Sequence, residues 1–486
     1  LNSYSNMSKK FYITTPIYYV NNKPHIGHAY TTIAADVLAR YWRNKIGDAN
    51  VFFLTGTDEH GANIEAIARE AGQEPQVFVD GIAAQFKAAW KMMNIEYDRF
   101  IRTTESQHMK AVQKALQHMY DRGDIYLGEY EGLYCRKCEQ YKNAKDLIKG
   151  ECPDHGIPPE VMREESYMFK LSKFAPELLQ KIEKDELLIC PQERKNEIVS
   201  FYKNEGLQDI SFSRKNVQWG VKLPWDKSHT AYVWADAFLN YLTGLGWDGT
   251  AGVRHLAFWP PQVELMSKDI LRIHATIWPA MLLSLDLPLP RKLFIHGYFI
   301  VDGKKMSKSV GNVIAPEDLV KKYGVDATRY LLMSATTFGS DGDIGWSRFD
   351  EKYNADLANN LGNLVSRVLN MIEKYCQGKI PDETESPFQL DLVGETIERL
   401  AFNEALEAMW LQITKANQYI DDHAPWQLAK NESKKDELEE VLSNLAAFLL
   451  DLAACLDPFM PKTAEIIIGS LNSSKITKGE PLFRRI

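Results

Sequence analysis

The strongest constraint on the fold is an alternation. Over the first 120 residues, strand-like runs at Phe11–Thr15 and Val51–Thr55 are separated by longer runs of helical periodicity at Ala29–Lys45, Ala62–Arg69 and Val77–Met92. Strands spaced by helices cannot return as hairpins, so the pattern predicts βαβ units on a parallel sheet. The alternation stops near residue 121 and resumes from Ala231, through Tyr232–Tyr241, Val253–Trp259, Asp269–Leu285 and a strand Lys292–Val301. Between the halves lie a Cys/Gly-rich knot at 132–156, a charged helix-like run at 176–200 and short strands. This stretch reads as an insertion splitting one α/β domain of nucleotide-binding type. Beyond about Asp350 the strand signal fades, and apolar residues recur at helical spacing through Asn359–Ile372, Ala401–Ile420 and Leu438–Leu456. A helical bundle is expected there, with Gly378–Pro387 as a loop within it.

Composition narrows the function classes. With 486 residues, 45% of them hydrophobic, the chain has ample material for several cores and is too apolar for a disordered one. Its net charge of −8 argues against a protein that coats nucleic acid with an overall basic surface, leaving room only for a local basic face. The most apolar stretch, Leu445–Leu456, is twelve residues long and carries Asp451, so no membrane span is expected. Residues 1–15 lack a secretory pattern, and six cysteines in so long a chain favour a reducing, cytoplasmic setting. Met7 reads as a natural initiator and Leu1–Asn6 as a scar of expression.

Three constellations carry chemistry. Pro24-His25-Ile26-Gly27-His28 follows a strand and opens a helix. Two imidazoles at the positive end of a helix dipole, with Gly27 allowing close approach, suit a polyphosphate; a pair of histidines capping the helix is the plain alternative. Lys305-Met306-Ser307-Lys308-Ser309 lies on the loop after the strand Lys292–Val301, followed by Gly311. Its ammonium and hydroxyl groups could close over a phosphate chain, or simply face solvent. Cys135-x-x-Cys138, then thirteen residues, then Cys152-x-x-His155 presents two knuckles of two soft ligands each, the set tetrahedral zinc requires. With four protein ligands the site is closed, hence structural rather than catalytic. Cys190, Cys376 and Cys455 are left as buried apolar residues.

The first two motifs, in this order and each after a strand of the split sheet, resemble the HIGH and KMSKS signatures of class I aminoacyl-tRNA synthetases. Within that class the chain is most similar to the methionyl-tRNA synthetase family. The likeness extends over Thr14-Thr15-Pro16-Ile17-Tyr18-Tyr19, Thr55-Gly56-Thr57-Asp58-Glu59-His60-Gly61, Tyr232-Val233-Trp234-Ala235-Asp236-Ala237 and Lys268-Asp269-Ile270-Leu271-Arg272-Ile273-His274. It implies a split Rossmann-type parallel-sheet catalytic domain (7–120 and 223–302), a zinc-bearing insertion (121–222), a linking segment with the Lys-Met-Ser-Lys-Ser loop (303–350) and an all-α anticodon-binding domain (351–486).

It also implies the reaction: methionine and ATP give methionyl-adenylate and pyrophosphate, with Mg2+ accompanying ATP, and the acyl group passes to the 3′ end of tRNA(Met). His25, His28, Lys305 and Lys308 are then the catalytic groups, acting by positioning and electrostatics. Gly27, Asp269, Phe299, Ile300 and Ser307 join them around ATP. Methionine falls to Asp58, suited to its ammonium, and to Ile17, Tyr19, Trp234, Ala237, Tyr241, Ile270 and His274. Aromatic faces suit a thioether. A missing methylene discriminates by only about 1–3 kcal/mol, so a polar contact to sulfur from Tyr19 or His274 is the sharper selector.

Away from the resemblance, Trp234 and Tyr241 are seven apart on one helical face and would be read as core. The family has Gly before Lys-Asp and His three residues earlier; here stand Ser267 and Glu264, which puts the ATP edge in question. Asn363 and Arg367, four apart on one helix face, and Trp426 after Ala424-Pro425 match the family's anticodon-binding positions. No separate editing domain and a monomer are expected. The rivals are another class I synthetase and a non-catalytic tRNA-binding relative.

Overall fold

The computed structural model describes residues 10–486 apart from 139, 143–146, 216, 251, 253–255, 302, 306–313 and 382–383. The described residues divide into two compact units, Leu1–Pro24, Asp48–Ala89 and Glu96–His296 forming one, and His25–Gly47, Trp90–Ile95 and Gly297–Ile486 the other.

The first unit is built on a six-stranded sheet. Its strands are β1 (Phe11–Tyr19), β2 (Val51–Asp58), β3 (Arg99–Arg102), β4 (Leu188–Cys190), β5 (Val263–Ser267) and β6 (Lys292–His296), in the spatial order β3-β2-β1-β5-β6-β4. Every pairing is parallel. Parallel sheets are covered on both faces, which is why β1 and β2 read as nearly unbroken buried runs. The order reverses between β1 and β5, and in open parallel sheets ligands settle outside the carboxyl ends of the strands at such a switch point. Helices Ser106–Asp121, Leu171–Glu183 and Ile277–Ser284 contribute Leu116, Leu178 and Trp278 to one continuous core with Tyr12, Leu54, Met266 and Ile295. A separate antiparallel sheet pairs Ile125–Cys135 with Gln140–Lys142 on one side and Glu160–Phe169 on the other, and Ile210–Ser211 completes it.

Four details differ from the sequence reading. β5 lies at Val263–Ser267 rather than at 253–259, where Leu256–Trp259 is irregular and 253–255 fall outside the described residues. The Glu264 in its middle broke the apolar signature. The edge strand β4 comes from within the charged run at 176–200, three residues between two helices. The run Lys292–Val301 is two strands, broken at Gly297, where a Cβ would meet the Ser340–Asp341 backbone at 2.3–2.4 Å. Finally, Cys190, Cys376 and Cys455 are half-buried, not buried; all three are free thiols.

In the second unit, α1 (Ile26–Ile46) is buried along most of its length. A small sheet pairs Phe299–Val301 with Lys304–Lys305 and, in parallel, with Gly342–Ile344. α2 (Val325–Met333) precedes a helical series: α3 (Gly362–Tyr375), α4 (Phe402–His423), α5 (Lys435–Leu456) and α6 (Pro461–Leu471). Leu364, Val368 and Ile372 of α3, Leu406, Met409 and Ile413 of α4, and Leu442, Leu445 and Leu449 of α5 are all buried, at the spacing of one helix face. Among the described residues, no helix is long and apolar enough to cross a membrane.

Candidate active site

In the first unit, the carboxyl ends of β1 and β2 set Tyr19 directly opposite Asp58. On the other side of β2, Gly56 lets β3 come close, since a Cβ there would strike the Ile101 carbonyl at 2.1 Å. The last residue of β2 and the two that follow it diverge. Asp58 is buried at the strand end. Glu59, fully buried, accepts both arms of Arg102, at 2.6 and 2.9 Å, and the Thr57 hydroxyl at 2.6 Å. His60 turns toward Asp236, its Nδ1 lying 2.5 Å from Oδ2.

The run Tyr232–Tyr241 is not one helix but two short ones, Val233–Ala237 and Asn240–Thr243. Trp234 and Tyr241 therefore do not share a continuous face. Trp234 is half-buried and its indole N–H has no hydrogen-bond partner among the described residues, whereas Ala237 and Tyr241 are buried. The helix expected at Asp269–Leu285 is likewise broken, into Lys268–Ile270, Leu271–His274 and Ile277–Ser284. That break places His274 at a helix end, where its Nδ1–H donates to the Ile270 carbonyl at 2.9 Å and its Nε2 accepts the Tyr241 hydroxyl at 2.8 Å. Burial lowers His274 to about 4 against the pull of the Ile270 carbonyl and Asp269, so the ring is neutral. Both nitrogens of His274 are thus engaged within the protein. Ile17, Trp234 and Ile270 pack against the core that contains Tyr241, while Tyr19 packs with Val20, Ile64 and Val79.

The Ser267 hydroxyl donates to the carboxylate of exposed Asp269. Glu264 is fully buried and accepts the Trp278 indole N–H at 3.2 Å.

In the second unit, the histidine pair caps the helix, the plain alternative of the sequence reading. His25 caps α1: its Nδ1 accepts from Gly27 N–H at 3.1 Å, its own N–H donates to His28 Nδ1 at 3.2 Å, and the rings stack at 3.7 Å. This reciprocal cap fixes both imidazoles at the positive end of a 21-residue helix. Burial, then the neighbouring His25, hold His28 well below the usual imidazole range, so it is a neutral donor rather than a cation. Phe299 is buried against Tyr30, ring centroids 4.3 Å apart, with Ile300 next to it half-buried. Lys305 pairs through its backbone with Ile300. Ser307 and Lys308 lie outside the described residues.

The knuckles meet. Cys135, Cys138, Cys152 and His155 bring their ligand atoms within 4.8 Å of one another and could hold a metal ion. Cys138 Sγ lies 3.3 Å from Cys152 Sγ and 3.1 Å from His155 Nδ1, which is 4.0 Å from Cys135 Sγ. Thiolates around tetrahedral zinc sit about 3.8 Å apart, so the set needs only small adjustments.

In the helical series, Asn363 is exposed on α3, and Arg367 reaches Asp421 Oδ1 of α4 at 2.5 Å and Asn417 at 3.5 Å. Trp426 is 39% exposed, following the left-handed Ala424, so it is not a core residue.

Sequence reasoning missed His60, His108 and Asp236. The signal available was a polar run at the end of a parallel strand, where ligand chemistry concentrates.

A parallel sheet whose strand order reverses between β1 and β5 defines an α/β protein of the doubly wound kind. The family model described as tRNA synthetases class I (M) matches residues 11–160 and 155–369, and the chain belongs to that family. The chain is similar to the methionine–tRNA ligases of Clostridium acetobutylicum, at 46% identity over 98% of this chain and 78% of that protein, and of Bacillus subtilis, at 43% over 98% and 78%. It also superposes on Mycobacterium tuberculosis methionyl-tRNA synthetase in complex with methionyl-adenylate, with a TM-score of 0.90 and 37% identity over 96% of this chain and 94% of that one.

Proposed function

We propose that the chain is a methionine–tRNA ligase that activates L-methionine with ATP and transfers it to the 3′ end of tRNA(Met). The observation that carries this is near-full-length similarity to methionine–tRNA ligases, joined to the fold of a synthetase whose structure holds methionyl-adenylate. In the first step a methionine carboxylate oxygen bonds to the α-phosphorus, the bond to the bridging oxygen breaks, and pyrophosphate leaves with the electron pair. The adenylate then yields its acyl group to a ribose hydroxyl of the tRNA.

On this reading His25 and His28 are fixed donors to the triphosphate at the mouth of α1, and Lys305 and Lys308 neutralise the leaving pyrophosphate. Gly27, Asp269, Phe299, Ile300 and Ser307 complete the ATP site, and Mg2+ accompanies the nucleotide. Asp58 pairs the substrate ammonium, while Ile17, Tyr19, Trp234, Ala237, Tyr241, Ile270 and His274 enclose the thioether. The neutral state of His274 suits that role, since a charge would have to be desolvated beside an apolar side chain. Cys135, Cys138, Cys152 and His155 would hold Zn2+, which would cross-link the two turns of the insertion. Asn363, Arg367 and Trp426 read the anticodon. The five-part division given above, a monomeric state and a cytoplasmic location belong to the same reading.

Pyrophosphate exchange measured with each of the twenty amino acids tests it. Methionine alone should drive exchange; exchange driven by another amino acid, or none at all, rejects it.

A further inference from the structure

Asp236 is the centre of a buried network that the reaction, as derived above, does not use. Its Oδ2 lies 2.5 Å from His60 Nδ1 and its Oδ1 lies 2.8 Å from His108 Nε2. The other nitrogen of His108, Nδ1, lies 2.7 Å from the Thr243 hydroxyl. The side chains of Asp236, His60 and His108 are at most 5% exposed. Burial works against the ionised carboxyl, but the two imidazoles outweigh it and hold Asp236 at about 2. An ionised carboxylate only accepts, so His60 Nδ1 and His108 Nε2 each carry the proton that faces it.

The chain positions of these four residues give the network its meaning. His60 is two residues beyond Asp58. Asp236 lies between Trp234 and Ala237 on the helix Val233–Ala237. Thr243 ends the helix Asn240–Thr243, which carries Tyr241. No regular ladder joins the end of β2 to either short helix, and helices of five and four residues do not hold themselves in place. His60 is wedged from its other side by Trp219, ring centroids 5.6 Å apart, whose indole N–H donates to the Glu59 carbonyl at 2.6 Å. One anion therefore cross-braces the segment bearing the ammonium partner to both segments bearing the thioether enclosure.

We propose that Asp236 is a positioning residue for methionine recognition, coupling Asp58 to Trp234, Ala237 and Tyr241 through His60 and through His108 and Thr243. The proposal rests on the assignment of those four residues to methionine. It requires that loss of the brace be felt by methionine and not by ATP, and that it act largely through Asp58.

The test is pyrophosphate exchange with the full chain carrying Asp236→Asn, Asp58→Asn, both together, and Thr243→Val, which severs only the last link. Asparagine must turn an N–H toward one of two fixed donors, so Asp236→Asn should raise the KM for methionine at least tenfold and that for ATP less than twofold. The double variant should lose clearly less than the product of the two single losses. Thr243→Val, a milder cut that keeps the fold, should raise the methionine KM about threefold. Replacing His60 by Asn, whose amide nitrogen falls where Nδ1 stood, should recover most of the activity lost in His60→Ala. Equal shifts in both KM values, a double variant equal to that product, or an unchanged methionine KM in Thr243→Val would overturn the coupling. An unchanged methionine KM in Asp58→Asn, beside a raised one in Asp236→Asn, would instead overturn the assignment of Asp58 and with it the proposed link.

Discussion

Glu264 sits in a central strand of a parallel sheet, fully buried, with one oxygen bonded to the Trp278 indole and the other, Oε2, without a hydrogen-bond partner among the described residues. Burial raises it from the ordinary 4.5 to about 8, so at neutral pH it is a carboxylic acid. The sign of the linkage follows. Between pH 4.5 and 8 the folded chain holds a proton that the unfolded chain has released, so stability falls as pH rises through that window and the full penalty is present above it. Glu264→Gln keeps an acceptor for Trp278 and removes the ionisation. Its unfolding free energy should match the wild type near pH 4 and exceed it by about 4 kcal/mol near pH 8.5, read from urea unfolding at the two pH values. An equal difference at both would mean that the carboxyl is solvated. The same residue explains a failure of pattern reading: a glutamate in Val263–Ser267 looks like a surface position until burial makes it neutral.

Two elements carry their own tests. The knuckle turns are short, polar and held by few backbone bonds, among them Gly156 N–H to the Cys152 carbonyl at 2.7 Å. A bound metal should therefore supply most of their order. Removing it with a chelator, or replacing Cys138 by Ser, should increase amide exchange across 135–157 while leaving the strands of the central sheet protected; unchanged exchange there would deny the metal a structural role. Trp426 follows the helix α4 with a large aromatic face in solvent. Trp426→Ala should weaken tRNA binding by about 1–3 kcal/mol, measured by filter binding, if a base stacks on it. These elements were legible because spacing encodes them locally: four ligands in two turns, and apolar residues three and four apart. The short helices around Trp234 and Tyr241 were not, because the contacts of Asp236 and Thr243 with His108, more than a hundred residues away in the chain, are not registered by sequence periodicity.

At the scale of the whole molecule, the second unit is pinned by a buried charge. Arg329 of α2 is fully buried, pairs with Asp36 of α1 at 2.7 Å and donates to the carbonyls of Pro458 and Phe459, both at 2.8 Å. Asp36 also accepts Arg40 at 2.8 Å. Three distant stretches of chain thus share one ion-paired node. Arg329→Met should lower the unfolding free energy by about 3–5 kcal/mol in denaturant titration, because it strips Asp36 of one counter-charge and leaves buried carbonyls unmet. A loss below about 1 kcal/mol would show that the node is solvated. The amino-acid sequence alone determined the alternation of strands and helices, the spacing of the four knuckle residues, the family motifs and the helical series, since each depends on residues close in the chain. Only the tertiary structure decided the strand order with its reversal between β1 and β5, the burial that neutralises Glu264 and His274, and the partners of Asp236 and Arg329. The strand order and the partners of Asp236 and Arg329 join groups more than a hundred residues apart, and desolvation is a property of the surroundings rather than of the residue.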